Sequence, residues 1–375
     1  MKIGITCYPT YGGSGAVATE LGLDLARRGH QVHFITYQSP FRLRGYARNV
    51  HFHEVDTTIS RYPLFEHYPY ELALASRQYE VALQEKLDVL HVHYAVPHAT
   101  TAFLAREMLR AALPIKVITT LHGTDITLVG QEASFYAISK FSIEQSDGVT
   151  AVSRFLRDET YRAFGCVQCV ITVIPNFVNL AEYTPTAATP REALVPDGHR
   201  LLVHISNFRE VKRVTDVIRI FARLRRAMPA SLMMAGDGPD RADAEQEARE
   251  LGVADDVHFL GRLDAVAPLL AAADLFILPS QTESFGLAAL EAMACGTPVL
   301  ATRVGGLGEL ITDGVEGLLE PVGSVEAMAR RAVDLLKDDQ RHAQMRQAAR
   351  ARAEQFSADV VVPQYEAYYH HILGA

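Results

Sequence analysis

Two glutamates eight positions apart, Glu283 and Glu291, bracket the stretch of this chain best suited to chemistry. The run Glu283-Ser284-Phe285-Gly286-Leu287-Ala288-Ala289-Leu290-Glu291 leads into Ala292-Met293-Ala294-Cys295-Gly296-Thr297-Pro298. It reads as a loop, a helix, a glycine stop and a new strand. Ser284 has the chemistry of an N-cap, and Gly296 with Pro298 ends the helix. Leu287, Leu290 and Met293 recur at helical spacing and form an apolar face. A rise of 1.5 Å per residue would set the two glutamates about 12 Å apart along the axis. Glu283 then stands just before the positive end of the helix, with Glu291 about two turns inside. The free N–H groups between them suit a diphosphate, and each carboxylate can take hydroxyls on one side of it. A sugar nucleotide has that shape. The competing reading is an amphipathic helix with two solvated glutamates, and the helix alone does not separate the two.

The rest of the chain supplies partners for an anion. Asn207-Phe208-Arg209-Glu210-Val211-Lys212-Arg213 follows an apolar strand, and its Lys212 and Arg209 suit phosphate charges. Gly236-Asp237-Gly238-Pro239 and Gly305-Gly306-Leu307-Gly308-Glu309 end or follow other strands, where glycine permits close backbone approach. Near the start, Pro9-Thr10-Tyr11-Gly12-Gly13-Ser14-Gly15 joins a strand to a helix, so backbone N–H groups can reach an anion. Gly13-x-Gly15-x-x-Ala18 also matches the dinucleotide fingerprint. That fingerprint wants an acid at the end of the second strand, where this chain has His33-Phe34-Ile35-Thr36-Tyr37. A nicotinamide enzyme is therefore a minority reading.

Other polar groups collect where strands end. His91-Val92-His93-Tyr94 closes one strand, with Pro97-His98 after it; Thr119-Thr120-Leu121-His122-Gly123-Thr124-Asp125 closes the next. His91, His93 and His98 are set aside as metal ligands: no carboxylate cluster accompanies them, and the two strand positions could fall on different faces. His122, between a strand and a glycine, is the better functional histidine, against the reading of a hydrogen-bonded structural one. Arg42 and Arg44 in Phe41-Arg42-Leu43-Arg44 read either as solvated or as binders of an anionic acceptor.

Stepping out to the elements, strands alternate with helices in both halves, which predicts parallel sheets with ligands beyond the strands' carboxyl ends. Thr184-Pro185-Thr186-Ala187-Ala188-Thr189-Pro190 reads as a boundary. The expected division is 1–180, 181–355 and a terminal helix over 356–375 that packs back on the first domain. Tyr365, Tyr368, Tyr369 and Ile372 form that helix's apolar stripe. The substrate is expected in the cleft between the two domains. The net charge of −8 and the lack of a basic block argue against nucleic acid. Arg223, Arg225 and Arg226, and Arg346, Arg350 and Arg352, read as solvated faces. No apolar run is long enough for an integral membrane segment. Cys166-x-x-Cys169 lacks the further ligands of a zinc site and the context of a redox motif, so a reduced cytoplasmic protein is expected. Homo-oligomerisation stays open.

Taken together, Glu283-x7-Glu291, Gly236-Asp237-Gly238-Pro239, the Lys212 segment and Gly12-Gly13-Ser14-Gly15 resemble the retaining GT-B glycosyltransferases. That resemblance implies an α/β fold of two doubly wound Rossmann-like domains. A narrower set is Ile5-Thr6-Cys7-Tyr8-Pro9, Pro40-Phe41-Arg42-Leu43, His93-Tyr94-Ala95-Val96-Pro97-His98, Thr120-Leu121-His122-Gly123-Thr124-Asp125-Ile126-Thr127 and Ser206-Asn207-Phe208-Arg209-x-x-Lys212-Arg213. It is similar to the members that move GlcNAc from UDP-GlcNAc to L-malate in the first step of bacillithiol biosynthesis.

The resemblance implies roles. Glu291 would hold the ribose and Glu283 the GlcNAc hydroxyls. Lys212, with Arg209, would neutralise the diphosphate. His122 would lie beside the donor sugar. Gly13, Asn207, Ser284, Phe285, Gly286 and Leu287 would complete the donor site, and Ser14, Arg42, Tyr94 and Thr120 are the acceptor candidates. Many relatives carry Arg where this chain has Asn207, which moves the phosphate role toward Arg209. No cofactor or metal is implied. Rival readings are another acceptor, a UDP-GlcNAc 2-epimerase, or a sensor that binds the donor without turnover.

Overall fold

The computed structural model describes residues 1–10, 12–57, 68–165, 169–187 and 189–374. Tyr11 and Cys166 lie outside them, and with Cys166 the reading of the Cys166/Cys169 pair. The first unit comprises Met1–Asn176 and Ala358–Ala375, and the second Phe177–Ser357.

In the first unit the chain runs β1 (Lys2–Thr6), α1 (Gly13–Arg27), β2 (Gln31–Thr36), β3 (Val50–Glu54), α2 (Tyr70–Glu85), β4 (Val89–His93), α3 (Thr100–Leu109), β5 (Lys116–Leu121), α4 (Thr124–Thr127), α5 (Ala133–Gln145), β6 (Gly148–Ala151), α6 (Arg154–Phe164) and β7 (Ile171–Val173). The seven strands form a parallel sheet in the order β3-β2-β1-β4-β5-β6-β7. Strands such as Val89–His93 are buried along their whole length, as a parallel sheet covered on both faces requires. Capping is local and legible: Ser153 accepts from the Leu156 N–H at 3.1 Å to start α6, and Gly165 ends it in the left-handed region.

The second unit runs β8 (Arg200–Ser206), α7 (Val214–Ala227), β9 (Ala230–Gly236), α8 (Arg241–Glu250), β10 (Val257–Gly261), α9 (Ala267–Ala272), β11 (Leu275–Leu278), α10 (Leu287–Ala294), β12 (Val299–Thr302), α11 (Leu307–Leu310), β13 (Gly317–Glu320), α12 (Val325–Lys337) and α13 (Asp339–Glu354). Its six strands are parallel in the order β10-β9-β8-β11-β12-β13. Its core gathers Leu202, Val217, Phe221, Leu232, Ile277 and Leu335. The last helix, α14 (Ala358–Leu373), belongs to the first unit. There Tyr365 and Tyr369 are buried, and the Tyr368 hydroxyl donates to the Val149 carbonyl at 3.2 Å.

Each sheet reverses its strand order once, between β1 and β4 and between β8 and β11. The loops leaving those strands are where an open α/β sheet binds its ligands. Three expectations change. Strand β13 and helix α2 carry no signal that the sequence reading picked up. Ser284 is not the N-cap of α10: Gly286 takes that position with φ 94°, and the helix starts at Leu287. The segment before it is therefore non-helical, and the 12 Å helical spacing does not apply.

The third change concerns Arg346, Arg350 and Arg352, which are not a solvated face. Arg346 donates to the Ala273 carbonyl at 2.7 Å, Arg350 to those of Ala294 and Tyr183, and Arg352 to those of Glu309 and Leu310. Apart from that of Tyr183, which is in a loop, these carbonyls lie at the ends of α9, α10 and α11, where helix carbonyls have no intrahelical partner. α13 thus supplies cations that satisfy them.

Candidate active site

In the second unit, β8 and β11 are neighbours, so the loops that follow them meet. Lys212 comes from the first loop and Glu283 from the second, 71 positions apart in sequence. Their Nζ and Oε1 lie 2.6 Å apart. The Ser280 hydroxyl donates to the same Oε1 at 2.8 Å, and the Thr302 hydroxyl in turn holds the Ser280 carbonyl at 2.5 Å. The pair is largely withdrawn from water, with side chains 21% and 10% exposed. Ser280 was not anticipated; its only sequence signal was a hydroxyl just beyond an apolar strand.

The Glu283 loop is pinned from the other side by Gly306. Its N–H donates to the Glu283 carbonyl at 2.9 Å, and a Cβ there would lie 2.3 Å from the Ser284 carbonyl oxygen. The close approach that these glycines allow is thus to the chain's own loop. Phe285 is buried, its ring 5.7 Å from that of Phe356, which leaves its backbone for any ligand. Gly286 and Leu287 open α10, and Glu291, 5% exposed, sits inside it. Arg209 and Asn207 are exposed on the loop after β8. Beneath them His204 is held from both ring nitrogens, by the Ile277 carbonyl and the Ser206 hydroxyl, each at 2.8 Å. Burial lowers its pKa to about 4.

In the first unit, neighbouring strands β4 and β5 bring histidines together. His93 Nδ1 and His122 Nε2 are 2.8 Å apart, with one N–H serving the pair. Contrary to the reading that they could fall on different faces, His91 and His93, two positions apart, share a face of the sheet, and their ring centroids are 4.6 Å apart. His91 bonds the Tyr369 hydroxyl and the Thr120 hydroxyl, both at 2.7 Å, and Thr120 continues to Thr150 at 2.7 Å. His98 Nδ1 donates to the His93 carbonyl at 2.5 Å. Burial pushes His91 down to about 3 and His98 to about 4, and it lowers His122 as well, so these imidazoles are neutral near pH 7.

Thr120 is fully buried and its hydroxyl is committed to this network, so it backs the site instead of lining it. His122 remains partly accessible, and Tyr94 stands 5.3 Å from it, ring centre to ring centre. Asp125 is a brace. Its Oδ1 accepts from the Gly123 N–H at 2.9 Å and the His122 N–H at 3.3 Å, and its Oδ2 from the Ala95 N–H at 3.0 Å. At the end of β1, α1 begins at Gly13 behind an exposed Gly12, and Ser14 is half-buried. Arg42 approaches Glu20 of α1 at 3.8 Å. Burial pushes the thiols of Cys7 and Cys295 up to about 12, so neither is a nucleophile.

Two parallel α/β units, with polar clusters at the carboxyl ends of β4 and β5 in the first and of β8 and β11 in the second, define a GT-B glycosyltransferase, and the chain belongs to that family. Residues 11–182 match the model of Glycosyltransferase Family 4, and residues 186–352 that of Glycosyl transferases group 1. The chain is 48% identical over 376 residues to N-acetyl-alpha-D-glucosaminyl L-malate synthase of Bacillus anthracis, covering 100% of this chain and 97% of the relative. It is 32% identical over 285 residues to a glycogen synthase of Mycobacterium tuberculosis, covering 72% of this chain and 65% of that one. Among solved structures, a sucrose-phosphate synthase from Thermosynechococcus elongatus superposes with a TM-score of 0.82 at 21% identity, covering 100% of this chain and 99% of that one. Among the described residues no helix is long and apolar enough to cross a membrane.

Proposed function

We propose that this chain transfers GlcNAc from UDP-GlcNAc to the hydroxyl of L-malate, with retention at the anomeric carbon, releasing UDP. The substrates are supported by the 48% identity to the Bacillus anthracis enzyme over the whole chain. The chemistry rests on one observation, the Lys212–Glu283–Ser280 cluster, whose Glu283 stands four residues ahead of the first residue of α10. A departing diphosphate needs positive charge held in place before the bond breaks. Lys212, fixed by Glu283, supplies it, Arg209 adds a second cation, and the N–H groups opening α10 add a partial positive charge. When donor binds, Glu283 takes the sugar hydroxyls and Glu291 the ribose. Gly13, Ser284, Phe285, Gly286 and Leu287 contribute backbone, and Asn207 borders the loop.

The retaining course removes the need for a protein base, because the diphosphate can take the acceptor's proton. The committed carboxylate of Asp125 and the lowered basicity of His122 fit that course. His122 then serves the sugar as a neutral hydrogen-bonding group. Malate brings two carboxylates, for which Arg42, Ser14 and Tyr94 are the proposed partners, with Thr120 holding His91 behind them. The proposed division of labour is 1–180 for the acceptor, 181–355 for the donor and 356–375 closing the first domain, in a cytoplasmic enzyme.

The test is UDP release from UDP-GlcNAc with and without L-malate, followed by mass spectrometry and NMR of the product. A malate-dependent release and an α-linked GlcNAc-malate are expected. UDP-GlcNAc turnover to UDP-ManNAc without acceptor would replace the transferase with an epimerase. Donor binding without any turnover would leave a sensor.

A further inference from the structure

A second polar cluster lies away from the residues used above, at the β3 edge of the first sheet. Strands β2 and β3 are parallel, with His33 opposite His51 and Ile35 opposite His53. Alternation along the strands puts all four side chains on one face. That face is the one under α2 and α3, because Ile35 packs in the core with Leu74 and Val81. Glu85, the last residue of α2, reaches the same place. His33 is 1% exposed, and His53 and Glu85 are half-buried.

We infer that His33, His53 and Glu85 form a binding site for a divalent transition-metal ion of the zinc class, which fastens the edge strand β3 to β2 and α2. One donor atom from each of the three lies within 4.8 Å of the other two. The His33 Nδ1 and His53 Nε2 are 2.9 Å apart. Zinc bonds of about 2.0–2.1 Å to imidazole in a tetrahedron put neighbouring donors roughly 3.3 Å apart. The imidazole pair is thus close to that spacing, and a small rotation of the glutamate side chain completes three ligands, with water as the fourth. Two imidazoles and one carboxylate suit Zn²⁺ and its neighbours better than Mg²⁺ or Ca²⁺, which prefer all-oxygen sites.

The surroundings agree. Among the described residues the His33 Nε2, the ring nitrogen not paired with His53, has no hydrogen-bond partner. His51 stacks on the His33 ring, centroids 4.7 Å apart and planes 18° from parallel, and fixes its plane. Two cations stand near the cluster: Arg77, whose Nη1 pairs with Glu80 at 3.1 Å, and Lys2, whose ammonium donates to the Glu85 backbone carbonyl at 2.8 Å.

The consequence is structural. Among the described residues β3 is the outermost strand, with one side unpaired, and such strands are weakly held and open to pairing with other chains. A metal bridging residues 33, 53 and 85 ties the edge to its neighbour and to a helix. Strands β1 and β4 lie between β2 and β5, so the ion would sit about 14 Å or more, at roughly 4.8 Å per strand, from the His122 loop. It would take no part in sugar transfer.

The experiment uses the full chain stripped of metal with EDTA and dialysed, titrated calorimetrically with ZnCl₂. Parallel titrations use His53→Gln with Glu85→Gln, and Glu85→Gln alone. The single variant changes only a helix-end side chain and keeps the test valid if the double variant folds poorly. The expected result is one equivalent bound, at least tenfold more weakly by the single variant and not measurably by the double. Zinc should also raise the melting temperature of the parent by several degrees and leave the double variant unmoved. With CoCl₂, the parent should show the intense visible bands of a tetrahedral ion. Equal affinity and stoichiometry in parent and variants would assign binding to other histidines and overturn the inference, as would a parent that takes up no zinc. Neither result touches the transferase reading, whose own test is malate-dependent UDP release.

Discussion

At the residue scale the decisive arrangement is a lysine held against a carboxylate before any substrate arrives. Lys212 and Glu283 are 2.6 Å apart and mostly shielded from water, and Ser280 fixes the carboxylate oxygen they share. Such a pair orders both side chains in advance, which spares the entropy of ordering them at the moment of reaction. Under the proposed function, replacing Lys212 by Ala would remove the main cation offered to the leaving diphosphate. Loss of one preorganised group of this kind costs about 10²–10³ in kcat. Steady-state kinetics on Lys212→Ala should show that loss in kcat/KM for UDP-GlcNAc, and a change below threefold would remove Lys212 from the phosphate role. Glu291 is argued separately, because it lies inside α10. Hydrogen bonds to a charged group contribute about 1.5–3 kcal/mol, so Glu291→Gln should raise the donor KM about tenfold or more with kcat nearly unchanged. An unaltered KM would take Glu291 out of the ribose site.

At the scale of elements, the question is what holds the Glu283 loop in place. It is not the start of α10, since the helix begins four residues later. The loop is clasped by Gly306, whose N–H bonds the Glu283 carbonyl at 2.9 Å and whose missing side chain admits the Ser284 carbonyl. Gly306→Ala puts a methyl 2.3 Å from that oxygen, so one of the two backbones must move. Overpacking of this kind costs about 1–3 kcal/mol. The expected outcome is a lower melting temperature together with a raised donor KM, and a variant with parental KM would show that the clasp does not position Glu283. This clasp also shows what the sequence made legible. The glycines after β12 were readable as a place of close approach, but the partner was not, because it is set by strand order. Lys212 and Glu283 were each readable as charged groups beyond strand ends; their pairing required β8 beside β11. Thr120 read as an exposed polar group at a strand end, and its burial follows from His91 and Thr150 on the neighbouring strands. Arg346, Arg350 and Arg352 looked like a solvated face because helical periodicity says nothing of carbonyls left bare at the ends of other elements. Short strands such as Leu275–Leu278 were legible because a fully buried parallel strand must be apolar throughout.

At the scale of the whole molecule, both units are built on buried neutral histidines, and that makes stability depend on pH in a defined window. His98 in the first unit and His204 in the second are each lowered from 6.5 to about 4, and His91 to about 3, with burial the main cause. In the unfolded chain these groups take up a proton below about pH 6.5. Between the two values the unfolded state therefore binds more protons than the folded state, and stability falls as pH falls. The contribution is fully present above the unfolded value and is lost progressively down to the folded one. One pH unit corresponds to about 1.4 kcal/mol per group, so each histidine forfeits roughly 2 kcal/mol by about pH 5. Asp125, raised by burial, works in the opposite sense. Asp147 and Asp313 are held below their usual range by hydrogen bonds and cations that outweigh their burial, and their contributions are lost only in stronger acid. Urea unfolding near pH 7.5 and near pH 5 isolates the histidines. The midpoint should drop at the lower pH for probes placed in either unit, because each carries its own buried imidazole. A midpoint that holds across this interval would mean that the histidines are solvated in solution. The compact β4–β5 network described for the first unit would then have to be open.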